Sequence, residues 1–209
     1  MMSQDDTIKK SKQRDRSVSE EKILNAAKEV FSKYGFQGAT TRAISKKANM
    51  NESLIARYFG GKYGLLLRLV ENMIEEGYSL EIPYPAQDNL IDELNGFVEF
   101  KLEQFKLKSG FFKIIVSQAL TDPKFLKKAL EKIPLHFEHP QLTSRLKTLK
   151  ENGKIRSDVK IEQIFIDVDT QCMGIFFFQF IIRGESTEKL LEQLKIFVKN
   201  YSLGIINKL

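Results

Sequence analysis

The stretch Thr40–Lys62, TTRAISKKANMNESLIARYFGGK, constrains the fold more than any other part of the chain. Ala43, Ile44 and Ala48 recur at one-turn spacing behind a threonine able to cap a helix. Asn49-Met50-Asn51 interrupts the pattern, and Ile55 and Phe59 resume it four residues apart. Two short amphipathic helices joined by a three-residue turn read as a helix-turn-helix. With Ile55 and Phe59 inward, Ser53, Leu54 and Arg57 point outward, and Glu52 and Ala56 lie on the flanks. Such a face fits a major groove. An ordinary helical hairpin inside an all-α core is the other reading of these residues alone.

Charge favours the first reading. Of the 33 Lys and Arg and 27 Asp and Glu in the 209 residues, residues 1–62 hold 13 basic and 7 acidic groups, so the whole formal excess of +6 surrounds this stretch. A basic third on a neutral remainder is the footprint of a nucleic-acid-binding domain joined to something else. Lys9 to Arg16 alone would read as a solvated basic tail, which leaves the lysines within the helices unexplained.

The length allows a full core without cross-links. The single cysteine, Cys172, excludes an intramolecular disulfide and fits a reducing cytoplasm. The N-terminus is charged, with no signal peptide or anchor to be read in it, and the longest apolar run, Gly174 to Phe178 extended by Phe180 to Ile182, is short for a bilayer span. A soluble cytoplasmic protein with no membrane partner is the expectation.

Met1 to Arg16 is polar and without periodicity, and is expected to be a disordered basic arm. Ser17 opens a capping box with Glu20; Ile23, Ala26, Ala27, Val30, Phe31 and Tyr34 then recur at three and four until Gly35. Gly60-Gly61 breaks the chain, and Lys62 starts a helix carrying Leu65, Leu66, Leu69, Val70, Met73 and Ile74. Pro83 and Pro85 mark a linker. Beyond it, helices are expected over about 89–108, 111–120, 124–132 and 141–152, followed by two long ones. No stretch alternates as a strand does, so the fold class is all-α.

The run Ile23–Val70 closely resembles the DNA-binding domain of tetracycline-repressor (TetR/AcrR) family regulators. The resemblance rests on Ala26-Ala27, Phe31, Gly35, Thr40-Thr41, Ile44, Ala48 and the Tyr58-Phe59-x-x-Lys62 signature, in order and at the family's spacing. Roughly a quarter of the chain carries it. It implies a ligand-responsive regulator, a repressor that binds a palindromic operator as a homodimer and is released by a small apolar or amphipathic effector. The expected organisation is an arm over 1–16, a helix-turn-helix domain over 17–62, a connecting helix over 63–80 and a helical effector-binding and dimerisation domain over 81–209. Two positions depart from the family pattern. Asn49 stands where glycine is usual, which is tolerable because Asn visits the left-handed region readily. Ala56 stands where the family commonly has a tyrosine on a DNA phosphate, so that contact is missing or is replaced by Arg57 or Tyr58.

Thr40, Thr41, Tyr58 and Lys62, at helix starts and flanks, are the expected phosphate contacts. Arg42, Asn51, Glu52, Ser53, Leu54 and Arg57 complete the DNA-binding candidates: Arg suits guanine, Glu accepts from cytosine and Leu meets a thymine methyl. The resemblance places Arg42 and 52–54 at positions that often read bases. One such unit reads few base pairs, so two are expected about 34 Å apart in a dimer. The last two helices are apolar on several faces and form the expected interface, through Ile164, Val168, Ile175, Leu194, Phe197 and Tyr201. Phenylalanine-rich helices can enclose an apolar cavity with a few polar handles. Phe97, Phe112, His136, Cys172, Phe176 and Gln179 are its candidate lining.

An enzyme or a helical interaction module is the alternative. The sequence holds no G-x-G-x-x-G, no G-x-S-x-G and no paired metal ligands beyond His136 and His139, three apart, so no cofactor, metal or catalytic residue is expected.

Overall fold

The computed structural model describes residues 4–132 and 139–206. In chain order the elements are α1 (Gln4–Gly38), α2 (Thr41–Ala48), α3 (Ser53–Phe59), α4 (Lys62–Ser79), α5 (Leu90–Leu107), α6 (Ser109–Thr121), α7 (Pro123–Lys132), α8 (Pro140–Glu151), α9 (Ile161–Ile175), a π-helical segment (Phe176–Ile182) and α10 (Thr187–Ile205). Among the described residues there is no strand, only an isolated antiparallel bridge between Ile155 and Ile206. The fold is all-α. The chain separates into two compact units, Met1–Ile74 with Lys113–Ile133, and Glu75–Phe112 with Pro134–Leu209. Most of α6 and all of α7 therefore group with the N-terminal helices, although they follow α5 in the chain.

In the first unit the expectation of a disordered arm is overturned, because α1 is helical from Gln4. Ser17 lies inside that helix and does not start one. Ser19 Oγ donates to Asp15 O at 2.8 Å and Arg16 Nε to Glu20 at 2.7 Å, a hydroxyl bond to the preceding turn and an i,i+4 ion pair that suit a helix interior. The helix breaks at Gly35, whose φ of 66° is a left-handed value that glycine adopts without a Cβ clash. Ile23, Ala27, Phe31, Ile44, Ile55, Leu65, Leu66 and Leu69 are completely buried, each larger aliphatic contributing about 1.5–3 kcal/mol. An aromatic series crosses the unit: Phe31 stacks on Phe36 at 5.6 Å, Phe36 meets Tyr63 edge-on at 5.1 Å, and Tyr63 reaches Phe125 at 6.4 Å. Asp122 Oδ1 caps α7 by accepting from the N–H groups of Lys124 and Phe125, while its Oδ2 receives the Tyr63 hydroxyl and the buried Gln118 amide.

The core of the second unit joins α5, α8, α9 and α10 through Leu94, Phe97, Val98, Leu142, Leu146, Ile164, Val168, Cys172, Leu194 and Val198. A polar clasp holds the Pro-rich linker to it. Glu93 is fully buried; it accepts from the Tyr84 hydroxyl, the Gln87 N–H at 2.8 Å and Arg145 at 3.2 Å, and Arg145 also donates to Tyr84 O. Such pairing is what a carboxylate removed from water requires. Burial beside Glu93 raises the Tyr84 pKa well above its ordinary value.

Helix α9 runs into the π segment without interruption, and Ile161–Ile182 is long and apolar enough to cross a membrane, with mean hydropathy 1.4 over its best window. The run read in the sequence falls short because it omits the stripe Ile161–Cys172 of the same helix. In the folded unit that stripe faces the core, while Asp169 pairs with Lys101 at 2.6 Å and Asp167 accepts from Gln163 and Tyr201.

Three of the residues expected at a dimer surface are corrected by this packing. Ile164, Val168 and Leu194 have no exposure at all, because α9 and α10 each have two apolar sides and these residues lie on the inner one. Ile175, Phe197 and Tyr201 are half-buried against the same core, with Tyr201 stacked on Phe197 and donating to Asp167. On the outer side Phe178, Ile182, Ile196 and Leu203 are between 52 and 63 % exposed.

Candidate nucleic-acid interface

Helix α2 begins at a cap the sequence dictates: Thr40 is extended and its hydroxyl accepts from the Ala43 N–H at 3.0 Å. It ends at Asn49, left-handed at φ 53°, ψ 47°. There the Asn49 N–H donates to Lys46 O and the Met50 N–H to Ser45 O, the bond pair of a Schellman turn. Asparagine thus does here what glycine does at such turns. Asn51 opens α3, its Oδ1 accepting from both the N–H and the hydroxyl of Ser53. Thr41 Oγ1 donates to Glu52 at 2.6 Å and ties the two helix starts together. At the far end α4 approaches so closely that a Cβ on Gly64 would lie 1.6 Å from Phe59 O, so only glycine fits.

These bonds divide the sequence candidates. Thr40 and Asn51 are engaged as caps, and Thr41 and Glu52 hold each other. Lys62, expected on a phosphate, is turned inward: its ammonium donates to Phe36 O and Ala39 O, both at 2.9 Å, and lies over the Phe36 ring. Burial lowers its pKa. It closes the α1–α2 junction because those carbonyls, at a broken helix end, lack a helical partner. Arg42, Ser53, Ala56 and Arg57 are exposed, Leu54 and Tyr58 half-exposed, and Ile55 buried beneath them. Lys47 is anchored to Glu29 of α1 at 2.6 Å. Arg16, which the sequence pattern does not single out, stands over the Tyr58 ring at 5.1 Å; no local signal links residues so far apart in the chain.

The effector candidates fall in two aromatic groups. Phe97 is sealed among Phe100, Phe165 and His139, with Cys172 in the same core; burial pushes the Cys172 thiol up to about 12. Phe176 stacks on Phe180 at 5.0 Å and meets Phe105 and Phe112, with Leu102 and Leu190 beside them. Gln179 is half-buried, and His136 lies outside the described residues. His139, read only as a weak metal candidate, is buried; its Nε2 is bonded to Leu80 O, its Nδ1 has no partner among the described residues, and desolvation lowers its pKa.

A short α2, a left-handed turn and an α3 with one exposed face, set on a basic unit, define a helix-turn-helix DNA-binding protein. Residues 23–69 match the model of bacterial regulatory proteins of the tetR family. The HTH-type transcriptional repressor AcnR of Corynebacterium glutamicum is 28 % identical over 85 % of this chain and 89 % of its own length. The uncharacterized HTH-type transcriptional regulator YvkB of Bacillus subtilis is 29 % identical over 87 % of this chain and 96 % of its own. A solved transcriptional regulator from Aquifex aeolicus VF5 shares the fold, with a TM-score of 0.55 at 20 % identity, covering 88 % of this chain and 99 % of that one. Residues 23–69 are thus similar to the tetR-family DNA-binding domain, and most of the chain is similar to HTH-type transcriptional regulators.

Proposed function

We propose that this DNA-binding regulator is a cytoplasmic repressor that acts by binding rather than by catalysis, holding an inverted-repeat operator as a homodimer and leaving it when a small effector binds the second unit. The observation that carries the DNA reading is the exposed face of Arg42, Ser53, Leu54 and Arg57 over a buried Ile55, on the unit that holds all the excess positive charge. Arg42 would read guanine and Leu54 a thymine methyl, while backbone contacts set the register. AcnR is named a repressor, which favours repression over activation.

The outer apolar side of the last two helices supports the dimer. Phe178 and Ile182 stand one turn apart, Ile196 and Leu203 two turns apart, and water is a poor partner for four such side chains. The aromatic group around Phe176, with Phe112 and Gln179 near it, is the place proposed for an apolar or amphipathic effector. An effector that prefers a conformation with wrongly spaced recognition helices weakens DNA binding by linkage. Selection of genomic fragments by the purified protein tests this function: an inverted repeat with half-sites about 34 Å apart is expected, and the absence of any enriched sequence would refute it.

A further inference from the structure

We propose that Arg16, Tyr58 and Arg57 form a phosphodiester anchor that joins α1 to the end of α3 and grips the DNA backbone beside Ala56, whose methyl group has no donor to offer. The inference rests on the DNA-binding reading and adds to it a residue, Arg16, that lies outside the helix-turn-helix.

The geometry is specific. Arg16 Cζ lies 5.1 Å from the centroid of the Tyr58 ring and Arg57 Cζ lies 6.0 Å from it, so one aromatic ring positions two guanidinium groups. Arg16 is held from its other side by Glu20, which takes only Nε, at 2.7 Å. Among the described residues no acceptor meets the two terminal nitrogens of Arg16, the guanidinium of Arg57 or the Tyr58 hydroxyl. Two like charges beside one ring repel unless an anion lies between or across them, and one carboxylate on a single nitrogen leaves an excess of positive charge. A planar fork of N–H donors beside a phenolic hydroxyl matches the oxygens of a phosphodiester.

Placement agrees with that chemistry. Arg57 and Tyr58 sit in the last turn of α3, the helix whose exposed face would enter the groove, and Arg16 flanks it from α1, where a strand bordering that groove would pass. The backbone N-terminal to Arg16 continues as helix to Gln4, and its sequence there includes Lys9, Lys10, Lys12 and Arg14. The basic run is thus carried past the anchor on a helix instead of a loose arm. Tyr58 is the post that orients the two cations, so it contributes through them as well as through its own hydroxyl.

The test measures affinity against salt for the wild type and for Arg16→Ala, Arg16→Lys, Tyr58→Phe and Tyr58→Leu, on a selected operator fragment and on an unrelated duplex of equal length. Arg16→Ala is expected to lower the slope of log affinity against log salt by about one for each engaged copy of the anchor. It should weaken both duplexes by the same factor, because a phosphate contact carries no sequence information. Arg16→Lys should restore the slope, with affinity below wild type because ammonium lacks the fork. Tyr58→Leu should reproduce the effect of Arg16→Ala, whereas Tyr58→Phe, which keeps the ring, should weaken binding less. Circular dichroism matching the wild type, together with the Arg16→Lys rescue, separates a missing phosphate grip from a damaged fold. Unchanged slope and affinity for Arg16→Ala, beside a steep wild-type slope, would overturn the anchor and leave the regulator intact; so would a weakening confined to the operator fragment. A wild type that binds neither duplex would overturn the regulator reading and the anchor with it.

Discussion

Helices α3 and α9 both carry apolar residues at helical spacing, yet only one of them declares which way it faces. Helix α3 has seven residues and one apolar side, so burying Ile55 leaves Ser53 and Arg57 outward. Helix α9 and the π segment are apolar nearly all round, and either side could have been the inner one. The stripe from Ile161 to Cys172 went to the core of its own unit, and Phe178 and Ile182 stayed outside. Amphipathicity orients a helix only where its second face is polar.

The largest expected effect sharpens that contrast on α10. Leu194→Asp puts a carboxylate into a site with no exposure and should cost on the order of 4 kcal/mol or more of stability in urea unfolding. Ile196→Asp combined with Leu203→Asp should leave protomer stability within about 0.5 kcal/mol, as for exposed positions, while halving the mass in sedimentation. If the inner substitution were mild and the outer pair disruptive to the protomer, the assignment of sides would be reversed.

Next comes the clasp in the second unit. Arg145→Ala leaves the fully buried Glu93 without its cation and should cost about 3–5 kcal/mol. Thermal unfolding that matches the wild type would show that the linker is held by other means.

In the first unit the effects are smaller and divide between binding and stability. Arg42→Ala should cost about 1–3 kcal/mol on the operator and relax choice at one base position. An equal weakening on every sequence would move Arg42 from bases to phosphates. Lys62→Ala is expected to do the opposite: it removes the donor from Phe36 O and Ala39 O and should lower stability by about 1–2 kcal/mol, with an unaltered salt slope for DNA binding. A reduced slope with unchanged stability would return Lys62 to the DNA surface.

The helix-turn-helix was legible because each part carries a local signal: the Thr40 cap, the left-handed Asn49, the break at Gly35 and the one-sided apolar pattern. Some side-chain roles were not, because they depend on partners distant in the chain. Lys62 looks like a surface cation until the carbonyls of Phe36 and Ala39 are found beside it. Gly64 gives no sign in sequence of the Phe59 carbonyl that excludes a Cβ. Arg16 reads as part of an unstructured tail, since polar composition does not reveal that α1 continues back to Gln4 or that Tyr58 lies beside it. The grouping of α7 with the N-terminal helices is likewise invisible in chain order, because it is set by Asp122 and Phe125 meeting Tyr63.

At the centre of the proposal stands a basic unit that would present α3 to DNA, with phosphates supplying affinity and the exposed face supplying choice. The most direct test is the affinity of the purified wild type for its selected operator between low and physiological salt. A steep linear fall of log affinity with log salt, reaching about 10³-fold or more between 50 and 200 mM if six or more phosphates are engaged, is the predicted result. An affinity that does not change with salt would contradict it.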